Sequence, residues 1–120
     1  MAQSKSGTIA IVDDDVSARE GLHLWLEAIG LKVESFASAA AFLSAAPESF
    51  ARLILDQHMP VTTGLELAWR LRAKGIHIPI MLLSGDLSAE VVRRAEGLGI
   101  EKVLEKPPRP EDLSAFVEGA

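Results

Sequence analysis

The feature that most restricts this chain is an alternation. Short apolar runs are separated by longer stretches with helical spacing, and the pattern repeats from Thr8 onward. Ile9-Ala10-Ile11-Val12 is apolar throughout, as a strand buried on both faces requires. Behind it, Ala18, Leu22, Trp25, Leu26 and Ile29 recur every three or four residues as one helical stripe, and Gly30 stands where a C-terminal helix cap is expected. Strands are predicted at Leu31–Phe36, Leu53–Leu55, Ile80–Leu83 and Glu101–Leu104. Helices are predicted at Ala39–Ala46 after the cap Ser38, at Leu65–Lys74, from Ser88 to Leu98, and at Pro110–Glu118. Five strands, each followed by a helix, imply an α/β fold with a doubly wound five-stranded parallel sheet and helices on both faces. The common strand order for such a sheet is 2-1-3-4-5, with ligands beyond the carboxyl ends of the strands.

Composition narrows the function classes. The 120 residues carry 12 Lys+Arg against 17 Asp+Glu, a formal charge of −5, which argues against non-specific nucleic-acid binding by this domain. With no cysteine, disulfide frameworks and thiolate metal sites are excluded. No stretch approaches the ~20 apolar residues that cross a bilayer, and the polar run Ala2–Gly7 is unlike a secretion signal, so a cytoplasmic domain is expected. Residues 1–7 are read as a flexible N-terminal segment and residues 8–120 as a single domain.

The chemistry collects at the strand ends. The first predicted strand ends in Asp13-Asp14-Asp15, the third in Asp56, the fourth in Ser84 and the fifth in Lys106. Singly, each has an ordinary reading, since Asp favours helix N-termini and a lone Ser or Lys is usual in a loop. Together, at the edge where this fold binds ligands, they describe a site for phosphoryl chemistry. Converging carboxylates repel unless a hard cation such as Mg²⁺ joins them. A lysine and a hydroxyl suit phosphoryl oxygens, and one carboxylate can attack phosphorus to form an acyl phosphate. No glycine-rich phosphate loop or dinucleotide fingerprint is present.

The segments Ile11-Val12-Asp13-Asp14-Asp15, Leu55-Asp56-Gln57-His58-Met59-Pro60 with Gly64, Leu82-Leu83-Ser84-Gly85 and Glu105-Lys106-Pro107 follow in an order and spacing that resembles the receiver domain of two-component response regulators, a flavodoxin-like fold. The resemblance implies that Asp56 accepts a phosphoryl group from a sensor histidine kinase or phosphotransfer protein. It implies Mg²⁺ held by Asp13, Asp14, Asp56 and the backbone carbonyl of His58, with Ser84 and Lys106 as phosphate-binding and switch residues. It further implies a cis Lys106-Pro107 bond, partner docking on the first helix and adjoining loop, and an output domain or downstream partner. Homodimer formation is left open. On this reading the domain is a self-catalysed switch, not a turnover enzyme.

Two positions depart from the family pattern. Val103 replaces the aromatic switch residue three before the lysine, and Pro108 stands where Phe is common. His58 is a second candidate modulator, through the water that hydrolyses the acyl phosphate. Three rival readings explain less. A haloacid-dehalogenase-like phosphohydrolase using Asp13 leaves Asp56 and the turn from Met59 to Gly64 unexplained. A phosphorylation-independent interaction module leaves the intact site residues without a purpose. A third, an FMN protein, would set Asp13–Asp15 against the flavin phosphate.

Overall fold

Strand alternation sorts the apolar side chains into two cores. The computed structural model describes residues 7–118; the proposed flexible segment 1–7 therefore lies outside the described residues except for Gly7, as do the last two residues of the expected domain. Among the described residues the strands are β1 (Thr8–Val12), β2 (Lys32–Phe36), β3 (Arg52–Asp56), β4 (Ile80–Ser84) and β5 (Lys102–Glu105). The helices are α1 (Val16–Ala28), α2 (Ala39–Leu43), α3 (Gly64–Ala73), α4 (Ala89–Gly97) and α5 (Pro110–Val117). All pairings are parallel, in the order β2-β1-β3-β4-β5.

In β1 the side chains of Ile9 and Ile11 join α1 and α5, whereas Ala10 and Val12 join α2, α3 and α4. The neighbouring strands divide in the same way: Ile54, Met81 and Leu83 lie on the first side, and Leu53, Leu55, Ile80 and Leu82 on the second. This is the period of two expected of a pleated strand covered on both faces. On the larger side, Phe36 packs edge-on against Phe42 and Phe50, with centroids 5.4 and 5.8 Å apart, which sets the short α2 against β2.

Most expected bounds shift by one residue, and two readings differ further. The second helix ends at Leu43, not Ala46; Ala46 takes a positive φ of 57°, and Pro47–Ser49 form a separate 3₁₀ turn. Pro47 cannot supply the amide a continuing helix needs, and it disfavours helical backbone before it. Ile29 belongs to the helical stripe by spacing but is 48% exposed, because α1 ends at Ala28 and Gly30 reverses the chain at φ 97°. Among the described residues, no helix is long and apolar enough to cross a membrane.

Register places the site. Val12 pairs with Leu55, so Asp13 and Asp56 leave the sheet side by side. Asp56 pairs with Leu83 and Ser84 with Glu105, so Ser84 and Lys106 follow at the same edge.

Candidate functional site

Local sequence fixes the loops that carry these groups. Asp15 is the N-cap of α1, accepting from the amides of Ser17 and Ala18 at 3.0 and 3.4 Å. The ordinary capping explanation of the Asp triplet thus holds for Asp15 alone. It frees Asp13 and Asp14 for the site. Gln57 is buried and anchors the β3–α3 loop: its side-chain oxygen accepts from the Leu65 amide at 2.8 Å, and its own amide donates to Leu83 at 2.9 Å. Thr63 and Glu66 form a reciprocal capping box at the start of α3. Gly64 is required for space: a Cβ there would stand 2.6 Å from the Asp56 carbonyl oxygen and 2.7 Å from Leu82 Cδ1.

Asp13 and Asp56 are 5% and 4% exposed, and Asp14 is exposed. Each of the three offers an oxygen within 4.8 Å of the others. Lys106 Nζ lies 2.8 Å from Asp56 Oδ1 and 3.5 Å from Asp13 Oδ2. Asp13 Oδ1 accepts from the Asp15 amide at 2.9 Å, and Arg19 donates to the Asp13 carbonyl at 2.8 Å. Burial pushes the Asp13 carboxyl above its ordinary value; the Asp15 amide opposes this, the Asp56 charge adds to it, and Lys106 opposes it again. For Lys106, burial works against the ammonium, but the bond to Asp56 and the charges of Asp13 and Asp56 outweigh it and raise its pKa.

The donor set fits a hard divalent cation. Three carboxylates face one ammonium, which leaves an excess of negative charge in a half-buried site. Asp56 Oδ1 is buried without an aligned hydrogen-bond donor, although the Lys106 ammonium neutralises it at 2.8 Å. Oxygen donors on an acidic, partly wet edge match Mg²⁺, which binds few carboxylates and keeps several waters.

Every residue singled out from sequence lies at this edge, Val103 excepted. Val103 sits within β5, half-buried against the larger core. His58 is exposed, and its Nε2 lies 3.1 Å from Ser84 Oγ. Ser84 is fully buried and also bonds the carbonyl and amide of Asp86, at 3.0 and 3.2 Å. The Lys106-Pro107 peptide is cis, as the resemblance implied. Sequence reasoning missed Arg19, Gln57 and Asp86. Each acts through or upon a backbone group, which leaves no side-chain pattern to read.

A buried carboxylate beside two others, a lysine and a hydroxyl, at the carboxyl edge of a 2-1-3-4-5 sheet, defines a doubly wound α/β domain with an acidic, lysine-containing site. The chain belongs to a known family of this class: the response regulator receiver domain model matches residues 9–118. The chain is 36% identical over 115 residues to the transcriptional regulatory protein FixJ of Bradyrhizobium diazoefficiens, covering 95% of this chain and 56% of FixJ. Among solved structures, the response regulator StyR superposes with a TM-score of 0.86 at 34% identity, covering 96% of this chain and 58% of that one. The chemotaxis protein CheY4 of Vibrio cholerae gives 0.84 at 30%, covering 93% and 96%. The chain spans about half the length of the curated relatives it matches.

Proposed function

We propose that this receiver domain takes a phosphoryl group onto Asp56 from a phosphohistidine on a sensor histidine kinase or phosphotransfer protein. One observation carries the reading. Asp56 is 4% exposed at the end of β3, with its Oδ1 against Lys106 and two further carboxylates within 4.8 Å. A carboxylate oxygen of Asp56 attacks phosphorus; the P–N bond breaks with its electron pair going to the imidazole, and an acyl phosphate remains on Asp56. Lys106 follows the charge onto the phosphoryl oxygens, and Ser84 donates a hydrogen bond to one of them. Asp13, Asp14, Asp56 and the His58 carbonyl would hold Mg²⁺, which neutralises phosphoryl oxygens when bound.

The partner docks on α1 and the β5–α5 loop. There Ala18, Leu22, Trp25, Pro107 and Pro108 line an apolar hollow of about 530 Å³ that reaches Asp13 and Lys106. Phosphorylation then shifts the loops around the site between two arrangements, and an output domain or downstream partner reads the change. The domain is a switch and not a turnover enzyme. Family membership gives no support to the phosphohydrolase reading, in which Asp13 would be the nucleophile.

Intact mass after incubation with acetyl phosphate and Mg²⁺ tests the proposal. One phosphoryl adduct is expected, mapped to Asp56, absent from Asp56→Asn and from protein treated with a chelator. An adduct on Asp13 with phosphate release surviving Asp56→Asn would establish the phosphohydrolase. No adduct and no Mg²⁺ binding would leave an interaction module.

A further inference from the structure

The Ser84 hydroxyl is fully engaged before any phosphoryl group arrives. A hydroxyl has one proton to give and two lone pairs to fill. Ser84 Oγ gives its proton to the Asp86 carbonyl at 3.0 Å and accepts from the Asp86 amide at 3.2 Å. The remaining lone pair faces His58 Nε2 at 3.1 Å, so that nitrogen is the donor. Ser84 is wholly buried. Strand alternation agrees with this placement: Ser84 continues the Leu82 row, toward α3 and α4, while Asp56 continues the Ile54 row on the opposite face.

His58 can hold that bond at small entropic cost, because its backbone is pinned on both sides. Gln57 before it is bonded to Leu83, Gly64 and Leu65, and Met59 after it is 7% exposed. The imidazole therefore joins the β3–α3 loop to the β4–α4 loop through one oxygen.

We propose that His58 is a positioning residue for Ser84, a latch whose imidazole holds the hydroxyl in its bonds to Asp86 and away from Asp56. This rests on the proposed phosphoryl acceptance at Asp56. When a phosphoryl oxygen draws the Ser84 proton, the bond to Asp86 must break and the oxygen must leave His58. Both loops are then released together. Such a latch sets the resting state without an aromatic ring at Val103.

Beryllofluoride with Mg²⁺ is the probe, its affinity read by calorimetric titration of wild type, His58→Ala, His58→Gln, Ser84→Ala and the His58→Ala/Ser84→Ala double variant. A latch bond of ordinary strength predicts that His58→Ala binds about fivefold more tightly, the equivalent of roughly 1 kcal/mol. The gain disappears in the Ser84→Ala background, and His58→Gln, which keeps an N–H donor, returns toward wild type. Equal affinity with and without His58, or the same gain in both backgrounds, overturns the latch alone. Wild-type protein that is folded yet takes no beryllofluoride overturns the phosphoryl-acceptor reading, and the latch with it.

Discussion

The two rims of the sheet treat charge in opposite ways. At the amino rim, Arg72 meets acceptors that the chain itself supplies. Arg72 donates to the carbonyls of Leu98, Ile76, Ile78 and Gly99 at 2.8, 3.0, 3.0 and 3.3 Å, closing the C-terminal ends of α3 and α4. Burial lowers its pKa below that of an ordinary arginine. Arg52 lies 3.5 Å from Glu101 and 5.5 Å from the Phe116 ring. At the carboxyl rim, three carboxylates share one ammonium, and Asp56 Oδ1 has no aligned donor. The amino rim is largely satisfied from within, although Arg52 Nε is buried there without a hydrogen-bond partner. The other gives up stability to keep an oxygen-rich site ready for what comes from outside.

The contrast breaks most severely where the two demands meet, at the start of α3. Gly64→Ala is expected to cost about 3 kcal/mol, since the added methyl would overlap the Asp56 carbonyl, a backbone atom that cannot turn aside as the Leu82 side chain can. Urea denaturation measures the loss, and phosphoryl uptake should fall with it as the end of β3 shifts. A change under 1 kcal/mol would show that α3 can move away from β3.

The amino rim comes next. Arg72→Met keeps the side chain's bulk but leaves four carbonyl acceptors without their donor. Because several of these can turn to water, a loss of about 2 kcal/mol is expected. Phosphoryl uptake at Asp56 should persist, and a loss of uptake in folded protein would show that the two rims are coupled.

The smallest effect has the opposite sign. Asp13→Asn should stabilise the cation-free protein by about 1 kcal/mol, the size of a like-charge contact in water. The Asp13 pKa is raised in the folded state, so its proton is held more tightly there than in the unfolded chain. Wild-type stability therefore falls as pH rises from 3.8 through the folded-state value, and Asp13→Asn should flatten that fall. Lys106 acts in a different window: its raised pKa gives stability that is complete below 10.5 and lost at higher pH. Mg²⁺ added to saturation should stabilise wild type more than Asp13→Asn, as thermal melts with and without the ion will measure.

Much of this molecule was legible before any coordinates. Buried strands have no polar face, so their apolar runs stand out as blocks, and the carboxyl-edge rule then gathers Asp13, Asp56, Ser84 and Lys106 without reference to packing. Their spacing alone carried the resemblance to receiver domains, and the parallel order β2-β1-β3-β4-β5 agrees with it. Less legible were contacts made to main-chain atoms. Arg72 reads as one more charge on an amphipathic helix, and Gln57 as a loop polar residue, because their acceptors and donors are backbone groups brought close by folding. The Asp triplet shows the boundary within three residues. Its composition announces an acidic site, but only the backbone entering α1 decides that Asp15 caps the helix while Asp13 turns to Lys106. Sequence by itself determined which residue types stand at the ends of which strands, since hydrophobic periodicity is a local property. The tertiary structure alone decided which of them touch, because register, loop anchoring and burial arise between elements distant along the chain.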